Sequence, residues 1–231
     1  MSDSDLKPFE PVRERLGRVD VWSASVSEMD NIAYLIVDRP TGAAVLVDAA
    51  DEIDRLTALV RDAEQNRDDD VEAAKQGRIR VERIITTHRH ADHWQALNDA
   101  RSTFDVPSLA GEFDAQAIRA TTDGTLSHAE FVEIGGVRAE VILLRGHTPG
   151  SIALAIEQPD APAILITGDS LFPGGPGSTN SPEEFTSLMN DLEERIFGRF
   201  DDDALVLPGH GERTTLGDER PHLQEWRERG W

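Results

Sequence analysis

Short runs of apolar, β-branched residues recur along the chain between Gly, Pro, Asn and Asp, a pattern that predicts strands separated by turns. Such strands are predicted at residues 19–26, 32–37, 43–47, 81–87, 106–110, 131–134, 137–144, 151–156, 163–167 and 204–207. Sequence patterns predict helices at residues 51–66, 91–102, 113–120, 181–197 and 221–229. Residues 67–80 are rich in charge and either extend the helix before them or form a solvated loop, which is the favoured prediction.

The order of these elements indicates the fold class. The early strands follow one another as in an antiparallel sheet, whereas the later ones alternate with helices, which fits two mixed sheets covered by helices. Since no stretch rich in Pro, Gly or Ser divides the chain, residues 1–231 are predicted to form a single α/β domain.

Composition limits the classes of partner. The 231 residues include 44 acidic and 23 basic ones, a formal charge of −21, which argues against binding to nucleic acid or to an anionic membrane. The chain contains no cysteine, which excludes disulfides, iron–sulfur clusters and thiol nucleophiles. It shows neither a signal-peptide pattern nor an apolar run of membrane-spanning length. We therefore expect a cytoplasmic protein, and whether it forms a homodimer is left open.

The candidate chemistry follows four of the predicted strands. The residues are His88, His90, Asp92, His93, His147, Asp169 and His210. Because α/β proteins place their sites at the carboxyl ends of strands, we expect these side chains to converge. Imidazole and carboxylate are ligands of zinc, iron and manganese, and crowding them together is costly without a cation. Each residue alone would also fit a structural role, but the joint pattern favours a metal centre.

The same ordered set resembles the motifs of the metallo-β-lactamase superfamily. Residues 88–93, followed by His147, Asp169 and His210, match those motifs in order and in kind, and Asp48 resembles an earlier aspartate of that family. The resemblance implies an αββα sandwich of two mixed β-sheets flanked by helices. It also implies two metal ions at one edge of the sandwich.

The resemblance further implies a role for each ligand. One ion would be held by His88, His90 and His147, and the other by Asp92, His93 and His210. Asp169 would bridge the two ions, and Asp48 would orient a ligand imidazole through a hydrogen bond. Two divalent ions are therefore the implied cofactors, with zinc expected first and iron or manganese as alternatives.

Within the superfamily, the sequence is similar to glyoxalase II (hydroxyacylglutathione hydrolase). The similarity lies in residues 146–151, Gly-His-Thr-Pro-Gly-Ser, and in residues 167–177, which end in a glycine-rich stretch. Two departures argue against transferring a glutathione thioester as the substrate. Ser178 stands where glyoxalase II has a basic residue, and the chain is short after His210 for the helical segment that glyoxalase II carries there.

The implied function is hydrolysis of an ester, thioester or related acyl bond of a small molecule by a metal-bridging hydroxide. Metal binding lowers the pKa of water from ~15.7 to ~7, so no Ser or Cys nucleophile is needed. Asp92 and Asp169 are the expected catalytic carboxylates, which balance the metal charge and transfer protons. Trp94, Phe172 and Tyr34 are candidate substrate contacts, with core packing as the alternative for each.

Other functions are compatible with the same residues. A persulfide dioxygenase of this superfamily would use a single iron held by two histidines and an aspartate, so metal count and identity distinguish it from the hydrolase. A nuclease is disfavoured by the acidic charge. A non-catalytic metal-binding protein would bind metal without turning over any activated ester.

Overall fold

The computed structural model describes residues 8–67 and 78–230 of the chain. These residues form two mixed β-sheets packed face to face, with helices on both outer faces. The predicted αββα sandwich is therefore confirmed. Most of the charged loop predicted at residues 67–80 lies outside the described residues. Within the described residues, no helix has the length and apolar character needed to cross a membrane.

Seven strands form the first sheet in chain order. They are β1 (Val12–Leu16), β2 (Val19–Ser25), β3 (Ile32–Asp38), β4 (Ala43–Val47), β5 (Arg80–Thr86), β6 (Ser108–Gly111) and β7 (Gly124–Leu126). The first four are antiparallel neighbours, and the last four run parallel. The outer face is covered by α1 (Ile53–Gln65) and α2 (Leu97–Phe104), which bury Leu56 and Leu97 among others.

The remaining strands follow along the chain. They are β8 (Phe131–Ile134), β9 (Val137–Leu143), β10 (Ile152–Gln158), β11 (Ala161–Gly168), β12 (Leu171–Phe172), β13 (Gly175–Pro176), β14 (Leu205–Pro208) and β15 (Thr214–Thr215). β12 and β13 form a separate hairpin, and the others form the second sheet in the order β15-β14-β11-β10-β9-β8. Its outer face is covered by α3 (Pro182–Leu192), α4 (Leu216–Glu219) and α5 (Leu223–Arg229).

The central strands are buried on both faces. In β4, Val45 and Val47 pack in the core between the sheets, whereas Ala44 and Leu46 pack in the core beneath α1 and α2. All four side chains are buried, which explains why this strand is a continuous apolar run. Asp48 is the first polar residue after it, and its position at the sheet edge is fixed by this register.

The helix predicted at residues 91–102 is wrong in extent. Ala91–His93 form a single 3-10 turn, and α2 begins only at Leu97. Between them, the N–H of Gln95 donates to the carbonyl of Ala50, 2.9 Å away in the segment after β4. The backbone is thus tied to a neighbouring strand end instead of to a preceding helical turn, and this holds the histidine-rich turn at the sheet edge.

The helix predicted at residues 113–120 is also wrong. Only Ala115–Ala117 form a 3-10 turn, and Ile118 is extended. The carboxyl of Asp114 is buried and accepts hydrogen bonds from two other loops, so tertiary contacts outweigh local helix propensity. The sequence patterns also missed β1, β7, β12, β13, β15 and α4, which are all short elements or edge strands.

Candidate metal centre

All the predicted ligands come together at one edge of the sandwich, where β5, β9, β11 and β14 end. Backbone hydrogen bonds link the two sheets at this edge. The N–H of Ile32 donates to Gly209 O (2.8 Å), and the N–H of Ile152 donates to Thr87 O (2.9 Å). Every ligand follows a buried strand, either directly or after a short turn. The packing of these strands in the cores therefore fixes the positions of the ligands.

The first triad consists of His88, His90 and His147. His90 Nδ1 lies 3.1 Å from His88 Nε2 and 2.9 Å from His147 Nε2. The rings of His88 and His147 are buried, whereas His90 is exposed. Three imidazole nitrogens therefore point at one small volume that opens to solvent on the His90 side.

The second triad consists of Asp92, His93 and His210. His210 Nε2 lies 3.2 Å from His93 Nε2 and 3.3 Å from Asp92 Oδ2. His93 Nε2 is 3.5 Å from the same Asp92 oxygen. This triad supplies two imidazole nitrogens and one carboxylate oxygen, which is a ligand set that zinc, iron and manganese accept.

Asp169 lies between the two triads. Its Oδ2 is 3.7 Å from His147 Nε2 and 3.5 Å from His210 Nε2. Its Oδ1 is 3.4 Å from His93 Nε2, yet among the described residues this buried oxygen has no hydrogen-bond partner. A buried carboxylate oxygen without a donor is costly, and a bound cation would satisfy it.

The outer ring nitrogens show which atoms face inward. His147 Nδ1 donates to Ser178 O (2.7 Å), and His210 Nδ1 donates to Met29 O (2.9 Å). His93 Nδ1 lies 2.8 Å from Asp48 Oδ2. With the proton held on the outer nitrogen, each Nε2 presents a lone pair to the centre, as a metal ligand requires. The residues present therefore fit bound divalent metal.

The charges of the centre are also suited to cations. Burial opposes a positive charge on His93, but the carboxylates of Asp48 and Asp169 outweigh it and raise the pKa of His93 to about 10. Burial of His210 is likewise outweighed by hydrogen bonds to Asp169 and Asp92, which raise its pKa to about 10. Without metal, protons in the second triad supply the positive charge that the carboxylates favour, and metal ions would displace them.

Asp48 contacts a histidine of the second triad directly and one of the first triad through Thr87. Its carboxylate accepts hydrogen bonds from the N–H and the hydroxyl of Thr87, each 2.8 Å long, besides facing His93. The Thr87 hydroxyl in turn lies 3.1 Å from His88 Nδ1. The side chain thus has the contacts expected of a group that orients ligand imidazoles.

Replacing Asp48 with asparagine is expected to weaken metal binding by about 10- to 100-fold. An asparagine amide has one acceptor and one donor end, so it cannot accept all three of these hydrogen bonds. Zinc competition against a chromophoric chelator would measure the affinity. Asp123→Asn is the matched control, since that carboxylate accepts from Ser108 N–H and Arg101 and contacts no ligand. Equal zinc affinity in the two variants would contradict this role of Asp48.

The loop between β2 and β3 holds residues that the sequence patterns missed. Asn31 Nδ2 donates to Asp92 Oδ2 (2.9 Å), and Asn31 Oδ1 accepts from the hydroxyl of Ser27. The carbonyl of Met29 in the same loop accepts from His210. This loop therefore orients two members of the second triad, and no spacing motif in the sequence marks it.

The three predicted substrate contacts occupy different environments. The ring of Phe172 lies 6.5 Å from that of His210, at the metal centre. Trp94 is half-buried and its indole N–H donates to Arg89 O (2.9 Å), so it braces the loop between His88 and His90. Tyr34 follows the core-packing alternative, because its side chain is buried and its hydroxyl donates to Pro208 O (2.6 Å).

Several known proteins are similar to this chain in sequence or in fold. Hydroxyacylglutathione hydrolase GloC of Haemophilus influenzae is 26% identical over 205 residues, which span 80% of this chain and 88% of that protein. The structure of ETHE1 from Myxococcus xanthus has a TM-score of 0.69 at 23% identity, covering 96% of this chain and 85% of that one.

A third similar protein is TTHA1623, whose crystal structure is of a di-iron-bound form. It has a TM-score of 0.63 at 25% identity and covers 85% of this chain and 95% of that one. Residues 31–210 match the metallo-beta-lactamase superfamily. Because this match covers well over half of the sequence, the chain belongs to the metallo-β-lactamase superfamily.

Proposed function

We propose that the protein is a dinuclear metal-dependent hydrolase that cleaves an ester, thioester or related acyl bond of a small molecule. The observation that carries the proposal is the position of Asp169. Its oxygens lie 3.4–4.0 Å from one nitrogen of each of four imidazoles, which belong to both triads: His88, His93, His147 and His210. A carboxylate within reach of both triads is what a dinuclear centre requires.

The residues of the centre divide the chemical work. When bound, the metal ions supply Lewis acidity for an acyl carbonyl and lower the pKa of a water molecule. Asp169, whose side chain is 11% exposed, balances positive charge inside the centre. Asp92 is 21% exposed and is held by Asn31, so we assign to its carboxylate the exchange of a proton with the bound substrate.

The β12–β13 hairpin supplies one wall of the proposed substrate site. It begins two residues after Asp169, and Phe172 within it lies beside His210. Directly after this hairpin, the carbonyl of Ser178 accepts from His147, so the wall is tied to the first triad. We propose that Phe172 contacts an apolar part of the acyl substrate. The neutral Ser178 side chain gives no support for an anionic glutathione moiety.

The persulfide dioxygenase considered from the sequence is the competing function. It would require a single iron held by two histidines and an aspartate, and it would leave the other ligands without a metal. The close approach of all three second-triad side chains and the orientation of His210 by Met29 favour the dinuclear hydrolase. Zinc is the proposed metal, and a cytoplasmic location stays a prediction.

Elemental analysis of protein purified without added metal or chelator tests the proposal. We expect about two zinc ions per chain and turnover within a panel of activated esters and thioesters. One iron per chain, with oxygen uptake in the presence of a persulfide, would overturn the proposal in favour of the dioxygenase. Bound metal without turnover of any ester or thioester would contradict it in favour of a non-catalytic protein.

A further inference from the structure

The first triad is divided between two loops that are far apart in sequence. His88 and His90 lie in the loop after β5, and His147 lies in the loop after β9. We propose that Asp114 is a positioning residue that fixes the distance between these loops and so controls metal affinity at the first triad. This inference rests on the proposed dinuclear centre, and it assigns a role to a residue that touches no metal ligand side chain.

The hydrogen bonds of Asp114 join the two loops directly. Its Oδ2 accepts from the N–H of Arg89 (2.9 Å) and from the hydroxyl of Thr148 (2.5 Å). Its Oδ1 accepts from the N–H of Gly150 (3.0 Å). Arg89 lies between His88 and His90, and Thr148 follows His147. One carboxylate therefore binds a residue adjacent to every ligand of the first triad.

Because the Asp114 carboxylate is buried, it depends on these hydrogen-bond donors. The Asp114 side chain has no exposed surface, and the Arg89 guanidinium lies 4.0 Å from its carboxylate. A carboxylate this buried must keep its donors in place, because losing one leaves charge without compensation. Displacing either loop would break at least one of the three hydrogen bonds.

Backbone packing leaves no room for a side chain between the Asp114 segment and the His147 loop. A Cβ atom at Gly150 would lie 2.4 Å from the nitrogen of Asp114, and one at Gly111 would lie 2.2 Å from the carbonyl oxygen of Gly150. The segment that carries Asp114 is therefore in direct backbone contact with the His147 loop. No side chain therefore separates Asp114 from the loop that holds His147.

The second triad is supported by other groups. Asp48 faces His93, Asn31 binds Asp92, and the carbonyl of Met29 accepts from His210. None of the described hydrogen bonds of Asp114 reaches these three ligands. We therefore expect loss of the Asp114 carboxylate to weaken one metal site and to spare the other.

The test is a zinc titration of metal-free Asp114→Asn and wild-type protein against a chromophoric chelator. Asparagine keeps the shape of the side chain but has a single acceptor end, so one donor from the two loops must face its amide N–H₂. We expect the affinity for one of the two zinc ions to fall by about tenfold or more, with the other unchanged. The visible spectrum of the cobalt(II)-substituted protein should change with it.

Asp38→Asn is the matched control. Asp38 is fully buried and accepts from Arg18, from the hydroxyl of Thr41 and from the N–H of Gly136. It lies at the far end of β3, seven residues beyond Asn31 and thus about 23 Å away along the strand. We expect this variant to lose stability in urea while it keeps both zinc affinities.

Each result decides the inference. If Asp114→Asn binds both zinc ions with wild-type affinity, or loses both equally, the role assigned to Asp114 is wrong while the dinuclear centre stands. If the wild-type chain binds no zinc, the proposed function itself fails and the inference with it.

Should Asp114→Asn not fold, Thr148→Val removes one donor and leaves the carboxylate in place. A smaller loss of affinity at one zinc ion is then expected, and unchanged binding would overturn the proposal.

Discussion

Replacing Asp169 with asparagine is expected to reduce hydrolysis by about 10³-fold or more and to lower the metal content below two ions per chain. Asp169 is the group that both triads share, with oxygens 3.4 Å from His93 Nε2 and 3.7 Å from His147 Nε2. Asparagine removes the negative charge and turns an amide N–H₂ towards imidazole lone pairs. A loss of about 4 kcal/mol in transition-state stabilisation corresponds to this factor, since each 1.36 kcal/mol is tenfold.

Steady-state rates on the best ester or thioester, with metal content measured on the same sample, provide the check. Wild-type protein treated with a chelator gives the baseline rate without metal, and adding zinc should restore its activity. Asp202→Asn is a suitable control, because that carboxylate is 71% exposed and pairs with Arg220. A variant at Asp169 that retained two metal ions and more than a tenth of the wild-type rate would refute the shared role of this carboxylate.

The convergence of the ligands was predictable because each ligand lies just after the end of a strand. Each cluster follows a run of apolar residues, and runs such as residues 163–167 identify a strand and its end without knowledge of the fold. Once two sheets pack through these runs, the residues after them meet at one edge. The local sequence is therefore sufficient to place Asp169 and His210, and the family resemblance supplies their grouping.

The supporting residues could not be predicted in this way, because their roles depend on contacts between distant loops. Asp114 binds Arg89 and Thr148, which are 25 and 34 residues away. Its neighbours suggested a helix, and only the folded chain shows that its carboxyl is turned inward. Asn31 likewise contacts Asp92 across 61 residues.

Tyr34 shows the same limit. The sequence left it as either a substrate contact or a core residue, and the structure buries its ring between the two sheets. The hydroxyl is satisfied by the carbonyl of Pro208, two residues before His210. A buried tyrosine with a single backbone acceptor cannot be distinguished from a pocket residue by sequence alone, because both require the same amphipathic side chain.

The second large effect is expected at Gly209, where alanine should lower activity by about 10²-fold or more. A Cβ atom here would lie 2.1 Å from Asp169 Oδ1 and 2.7 Å from His93 Cε1, much closer than atoms of this kind approach. The added methyl must displace the shared carboxylate or a second-triad ring. Displacements of about 1 Å at reacting groups cost this much in rate. The same overpacking should destabilise the fold by about 1–3 kcal/mol.

Gly211→Ala separates crowding from backbone strain, because both glycines flank His210. Gly211 has a φ of +71°, and a Cβ atom added there would meet no other atom within 4 Å, so alanine adds strain without a contact. We expect it to cost about 1–2 kcal/mol of stability and to leave the rate nearly unchanged. Urea unfolding and steady-state kinetics of both variants make the comparison. If Gly209→Ala and Gly211→Ala lose activity equally, strain in the turn, and not the space beside Asp169, governs the second triad.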